Sequence, residues 1–171
     1  NLVKHYRYAY KLFACNGILF NHESTRRGSN FVTNKVVKNS VRIALGFQKY
    51  LEVGNIHAYR DWGHAKDYVI AMQKILNYKK PDDWVVATGQ SRSVGQMINY
   101  VFKKLKIDKE KHLKINKKFF RPEELKYLKG DSSKIRRTLK WKPEYTFEQM
   151  LDEMIEFWIK FYTKNKDLKD F

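Results

Sequence analysis

Between His22 and Arg27 the sequence sets an imidazole, a carboxylate, two hydroxyls and two guanidinium groups side by side, HESTRR. Gly17-Ile18-Leu19-Phe20 just before them is a short apolar run bounded by turn residues, the pattern of a strand covered on both faces. Asn21 to Thr25 cannot extend that strand into a core. In open α/β sheets, ligands collect beyond the carboxyl ends of strands. Arg26 and Arg27 add two fixed positive charges suited to forked binding of a phosphate. The same residues also suit a plain polar loop with a solvated arginine pair. Two further stretches carry comparable chemistry: Arg60-Asp61-Trp62 in an extended piece, and Phe119-Phe120-Arg121-Pro122 at an abrupt turn.

These groups need elements to hold them. A helix over about 1–12 has Leu2, Tyr6, Ala9 and Tyr10 near one face. Ser29 or Asn30 is expected to cap a helix to about Phe47, with Gly46 as its stop. Short extended pieces follow at 50–53 and 57–62. A helix over 64–78, a strand at 84–88 and a helix from Val94 to about Leu105, capped by Ser91 or Ser93, come next. Residues 106–117 are mostly charged and read as loop ending in a short extended piece, and 123–128 as a short helical or extended segment. Ser132 is expected to cap a helix to Leu139, and Thr146 one from Phe147 to about Tyr162. Alternating strands and helices argue for α/β.

The 171 residues, 43% hydrophobic, suffice for one domain with a real core and exclude a disordered chain. A net charge of +17 raises nucleic acid or phosphorylated ligands as partners. Much of it is lysine at surface-type positions such as Lys103, Lys104, Lys106, Lys109 and Lys111, as biased codon usage also produces. The aromatics fall at core spacing rather than along a basic stripe, so no nucleic-acid partner is expected. Cys15, the single cysteine, reads as a small buried hydrophobe in a reducing, cytoplasmic setting. No apolar stretch is long enough to span a membrane. The first helix lacks a starting methionine and an N-cap, so residue 1 is expected not to be a natural beginning.

In order, NGILFNHES, RRG, NFVT, RDWGHAKDYV, a strand ending in ATG, FRP and a late KWKP resemble the C-terminal half of the GDP-mannose 4,6-dehydratase family, within the extended short-chain dehydrogenase/reductase superfamily. The resemblance runs from about Tyr6 to Phe161. It implies the C-terminal portion of an NAD(P)-binding Rossmann-like α/β fold with a smaller mixed α/β substrate-binding domain. Residues 1–28 and 84–105 would be the last Rossmann elements. Residues 29–83 and 106–171 would be mainly substrate-binding. The implied activity is that of a lyase. It converts GDP-mannose to GDP-4-keto-6-deoxymannose: a hydride passes from C4 to NADP, water leaves across C5 and C6, and the hydride returns at C6. The family forms dimers and tetramers.

The family's catalytic Tyr, Lys, Thr and Glu have no counterpart in these residues, nor has the Gly-rich phosphate loop. The chain is therefore expected to be inactive by itself and to contribute binding. By resemblance His22 contacts NADP near its nicotinamide end, Arg27 contacts NADP across a subunit contact, and Asn21 orients the sugar nucleotide. Val32 and Lys35 approach the guanine or its ribose, Arg60 and Arg121 grip the diphosphate, and Glu124 accepts from ribose hydroxyls. No metal site is implied. Each residue has a plainer alternative: His22 a turn cap, Arg60 a bridge to Asp61 or Asp67, Arg121 an aromatic stack, Lys35 a helix-face lysine. Trp62 and His64 read as packing and capping, and Glu23 is not assigned a base role. Thr25, Asn34 and Glu123 depart from the family's usual proline, arginine and threonine, which bears on base specificity. A nucleotide-sugar-binding module without catalysis, or another nucleotide-sugar epimerase or dehydratase, are the competing readings.

Overall fold

The structure, a computed structural model, describes residues 2–120 and 122–165. Helix α1 (Leu2–Ala9) leads to β1 (Asn16–Leu19), β2 (Asn21–Glu23) and α2 (Val32–Ala44). Then come β3 (Leu51–Val53), β4 (Tyr59–His64), α3 (Ala65–Leu76), β5 (Asp83–Val86), β6 (Ser91–Ser93) and α4 (Val94–Lys104). The short α5 (Lys109–His112), β7 (Leu113–Ile115), a 3-10 turn (Lys117–Phe119), α6 (Ser133–Leu139) and α7 (Phe147–Lys164) complete the order. β1 and β5 pair in parallel, β2-β4-β6 form a mixed sheet, and β3 pairs with β7 in parallel.

Two cores result. In the larger, α2 buries Val36, Val37 and Val41 against α4 and against Met150, Leu151, Met154, Ile155 and Trp158 of α7. Helical spacing of these residues puts them on one stripe, and burying each contributes about 1.5–3 kcal/mol. In the smaller, Tyr68 and Ala71 of α3 meet Trp84 and Val86 of β5, Ile135 of α6 and Trp141. Residues 84–105, expected to act with 1–28, divide between them: β5 stays with β1, while α4 joins α2. α3, from the stretch expected on the substrate side, packs on β5.

Two caps follow the sequence directly. Ser93 Oγ accepts from the Gln96 N–H at 3.0 Å, and Gln96 Oε1 accepts from the Ser93 N–H at 2.7 Å. Thr146 and Gln149 repeat this capping box on α7. His64 caps α3, accepting from the Lys66 N–H. Gly46, at φ +77°, ends α2 as expected.

Other expectations are corrected. Neither Ser29 nor Asn30 caps α2; its N-cap is Phe31, with no side-chain bond. Ser132 sits at the N-cap of α6, but its Oγ accepts from Arg136 Nε instead of a backbone N–H. Asn21 to Glu23 do not form a turn after β1. They make β2 in a different sheet, and Glu23 is buried. β1 is not covered on both faces: Ile18 is 52% exposed. Leu2 and Tyr6 of α1, and Tyr10 just after it, are also exposed. Cys15 is half-buried against the smaller core.

Candidate functional site

Two cavities adjoin at Asn21, which lines both. The larger, about 520 Å³, is also lined by Phe31, Val32, Lys35, Arg60, Phe119 and Glu124. The smaller, about 260 Å³, is also lined by Phe20, His22, Arg27 and Leu128. The larger volume falls in the usual range for a small-molecule site, roughly 300–1,000 Å³. Five of the residues expected at the sugar nucleotide, Asn21, Val32, Lys35, Arg60 and Glu124, therefore share one cleft. His22 and Arg27 share the other. Arg121 lies outside the described residues.

The sheet sets the geometry of the floor. Parallel pairing puts Asn21 of β2 beside Trp62 of β4, and strand alternation puts Arg60 on the same face as Trp62. Trp62 is 3% exposed and stacks on Phe147. One wall comes from α2 through Val32 and Lys35. The opposite wall comes from the β3–β7 pair, which brings Gly54 and Phe119 together. A Cβ on Gly54 would lie 2.5 Å from the Phe119 carbonyl oxygen, so only glycine permits this approach. Lys35 Nζ sits 3.6 Å from the centre of the Phe119 ring, and burial holds its pKa below the ordinary lysine value.

Arg60 is more constrained than its proposed task suggests. Its Nη1 donates to the Tyr59 and Leu125 carbonyls, both at 2.7 Å, and Nη2 lies 3.3 Å from Glu124 Oε1. The ion pair is with Glu124, not with Asp61 or Asp67. Of five guanidinium N–H groups, the Nε–H and the second Nη2–H have no partner among the described residues and are open to a ligand. Glu124 Oε2 accepts from Asn55 Nδ2 at 3.0 Å, leaving carboxylate lone pairs on both oxygens. Among the described residues Glu124 is the sole acidic one lining the larger cleft, against Lys35 and Arg60, so the cleft suits an anion.

In the smaller cavity, His22 Nδ1–H donates to the Phe20 carbonyl at 2.8 Å, and the ring stacks on Tyr68. With that proton fixed, neutral His22 offers Nε2 as an acceptor, which suits an amide NH₂ or a hydroxyl. Arg27 Nε lies 2.9 Å from Glu23 Oε2, and its guanidinium carbon is 3.4 Å from the centre of the Phe31 ring. Glu23 is 1% exposed. Its burial outweighs the Arg27 charge and pushes its pKa up to about 7.

Residues not foreseen support these. Asp61, fully buried, accepts from the Thr88 N–H and hydroxyl and from the Gly89 and Gly130 N–H groups. It ties Arg60's strand to the loop after β5. The RDW and ATG motifs hold both partners but not their pairing. Asn34 donates to the Arg27 carbonyl at 2.5 Å and accepts from Trp158 Nε1 at 2.8 Å, clamping the Arg27 loop to α7.

Against this geometry, residues 1–154 match the family described as GDP-mannose 4,6 dehydratase. The chain belongs to that family. GDP-mannose 4,6 dehydratase 1 of Arabidopsis thaliana is 47% identical over 165 residues, an alignment covering 96% of this chain and 46% of the relative. The Homo sapiens GDP-mannose 4,6 dehydratase is 41% identical over 173 residues, covering 90% and 46%. The chain spans about half the length of the curated relatives it matches. Among solved structures, RMD from Pseudomonas aeruginosa complexed with NADPH superposes with a TM-score of 0.82 at 20% identity, covering 93% of this chain and 52% of that one. The UDP-glucose 4-epimerase of Thermotoga maritima with UDP-glucose gives 0.80 at 18%, covering 94% and 50%. The fold of these two structures is thus the fold seen here, and this chain spans about half of each.

Proposed function

We propose that this chain forms the nucleotide-sugar-binding part of a GDP-mannose 4,6-dehydratase, a cytoplasmic lyase that converts GDP-mannose to GDP-4-keto-6-deoxymannose with NADP. The observation that carries the reading is the larger cleft. Residues as far apart in the chain as Asn21 and Glu124 meet there with a cationic balance and an apolar floor.

In this reading the free N–H pair of Arg60 binds one phosphate of the diphosphate, and Arg121 binds the other. Glu124 accepts from ribose hydroxyls. Lys35, Phe119 and Val32 hold the base, the ammonium donating to a ring carbonyl. Asn21, at the junction, orients the sugar towards the smaller cavity. The donor set there fits NADP: His22 Nε2 takes an amide or hydroxyl proton, and the terminal nitrogens of Arg27 take a phosphate. When bound, NADP supplies the hydride acceptor and donor of the reaction. The proton-transfer groups lie outside these residues, so the 171 residues alone bind substrate without dehydrating it. The assembly is proposed to be a homodimer or homotetramer.

Calorimetry with GDP and guanosine tests the reading. The protein should bind GDP, and Arg60→Ala should weaken GDP binding by about 10- to 100-fold, a charged hydrogen-bond pair, while leaving guanosine within about two-fold. No GDP binding by the unsubstituted protein, or equal losses for both ligands, would overturn it.

A further inference from the structure

Glu23 is buried, charged-group chemistry that the proposed reaction does not use. It sits on β2, between the two cavity residues His22 and Arg27. Its Oε2 faces Arg27 Nε at 2.9 Å, from a carboxylate 1% exposed. Thr33 of α2 lies beside it, its buried hydroxyl without a hydrogen-bond partner among the described residues. His64 of β4 is its register partner, and the buried Tyr68 hydroxyl of α3 feels its charge. On the far side of Arg27, the Phe31 ring covers one guanidinium face at 3.4 Å. Thus the Nε edge of Arg27 meets the Glu23 charge, in close contact but without an aligned hydrogen bond, and one face meets the Phe31 ring. Its terminal nitrogens have no hydrogen-bond partner among the described residues, and Arg27 lines the smaller cavity. Phe31, which holds Arg27, lines the larger.

We infer that Glu23 is a positioning residue that locks Arg27 against Phe31 and thereby couples occupancy of the two cavities. This rests on the nucleotide-sugar reading above and adds to it a link between cofactor and substrate binding. A base or ribose seated against Phe31 restricts the ring. A restricted ring holds the Arg27 face, and a held guanidinium presents its terminal nitrogens to a phosphate with less ordering left to do. The effect must run both ways, because coupling free energy is reciprocal. The pair is held by charge at short range, so an amide in place of Glu23 keeps the volume but loses the attraction on Nε.

The test measures NADP affinity of the intact protein with and without saturating GDP, at pH 6 and pH 8. In the unsubstituted protein GDP should tighten NADP about five-fold or more, a typical coupling. Glu23→Gln should weaken NADP about ten-fold at pH 8, remove the difference between the two pH values that Glu23 causes, and bring the coupling to within two-fold. GDP alone should bind as before, and Glu23→Asp should restore part of the coupling. Phe31→Leu, which keeps Glu23 and an apolar side chain, should also abolish coupling, and stands in if Glu23→Gln does not fold. Retained coupling in Phe31→Leu or Glu23→Gln would overturn the inference. So would a folded Glu23→Gln that is merely less stable, with unchanged NADP binding and pH profile. If the unsubstituted protein binds neither GDP nor NADP, the functional reading fails, and this inference with it. If it binds both without coupling, this inference alone fails.

Discussion

At the scale of single residues, the site is held by buried polar groups whose partners come from distant segments. Asp61 takes four donors without exposure, the hydroxyl of Thr88 at 2.6 Å and three backbone N–H groups. Asp61→Asn turns one acceptor into a donor facing donors, which should cost about 3 kcal/mol of stability. Urea unfolding would read this as a lower midpoint with an unchanged slope. Glu23 runs the other way. Its pKa in the fold, about 7, lies above that of an exposed glutamate. Between about pH 4.5 and 7 the folded protein therefore binds more protons than the unfolded chain, so stability falls as pH rises through that window and levels off above it. The change is on the order of 3 kcal/mol. Unfolding measured at pH 5, 6, 7 and 8 should show this decline, and Glu23→Gln should flatten it.

At the scale of elements, caps and clamps set where the cleft walls stand. Ser93 ends β6 and starts α4, so the residue that caps the helix also precedes Val94 at the cleft. Ser93→Ala should cost about 1 kcal/mol, seen in the urea midpoint. Trp158 of α7 reaches the Arg27 loop through Asn34. Trp158→Phe keeps most of the packing but leaves Asn34 Oδ1 without its indole donor, about 1–3 kcal/mol, and should weaken NADP binding with little effect on GDP. Equal weakening of both ligands would mean that α7 supports the fold generally and not the Arg27 loop. The Thr146 cap was legible in the sequence, because Thr followed three residues later by Gln is a local pattern; for α4 the sequence offered Ser91 or Ser93, and the structure takes Ser93. The start of α2 was not. Ser29 and Asn30 are good cap types, but the loop is fixed by Arg27, Asn34 and Phe31 contacts, and these move the first helical turn to Val32.

At the scale of the whole molecule, apolar surface is unevenly covered. Leu2, Tyr6, Tyr10 and Ile18 lie exposed along α1 and β1, and Val69, Met72 and Leu76 along one side of α3. β1 and β5 pair only with each other among the described residues. Open strand edges beside apolar patches favour association. The 171-residue polypeptide should therefore elute above its 20.6 kDa monomer mass in light-scattering chromatography and bind a hydrophobic dye. A monodisperse monomer without dye binding would show that these faces are tolerated in water. No described helix is long and apolar enough to cross a membrane, so these patches do not form a helical span.

The sequence by itself determined the elements whose signals are local. The helices α2, α4 and α7, the Gly46 stop, the Thr146 cap and the mixed α/β class follow from spacing and residue type, with Ser91 or Ser93 left as the cap of α4, and the ordered motifs pointed to the family and to residues that line the two cavities. Tertiary structure decided what depends on pairing across the chain. It moved Asn21 to Glu23 into a second sheet, gave Arg60 to Glu124 instead of Asp61, buried Asp61 under the loop after β5, and set Glu23 and Phe31 on either side of Arg27. Periodicity records which face of an element is apolar. It does not record which distant donor will meet a buried acceptor, because that is fixed only when the strands take their register and the cores close.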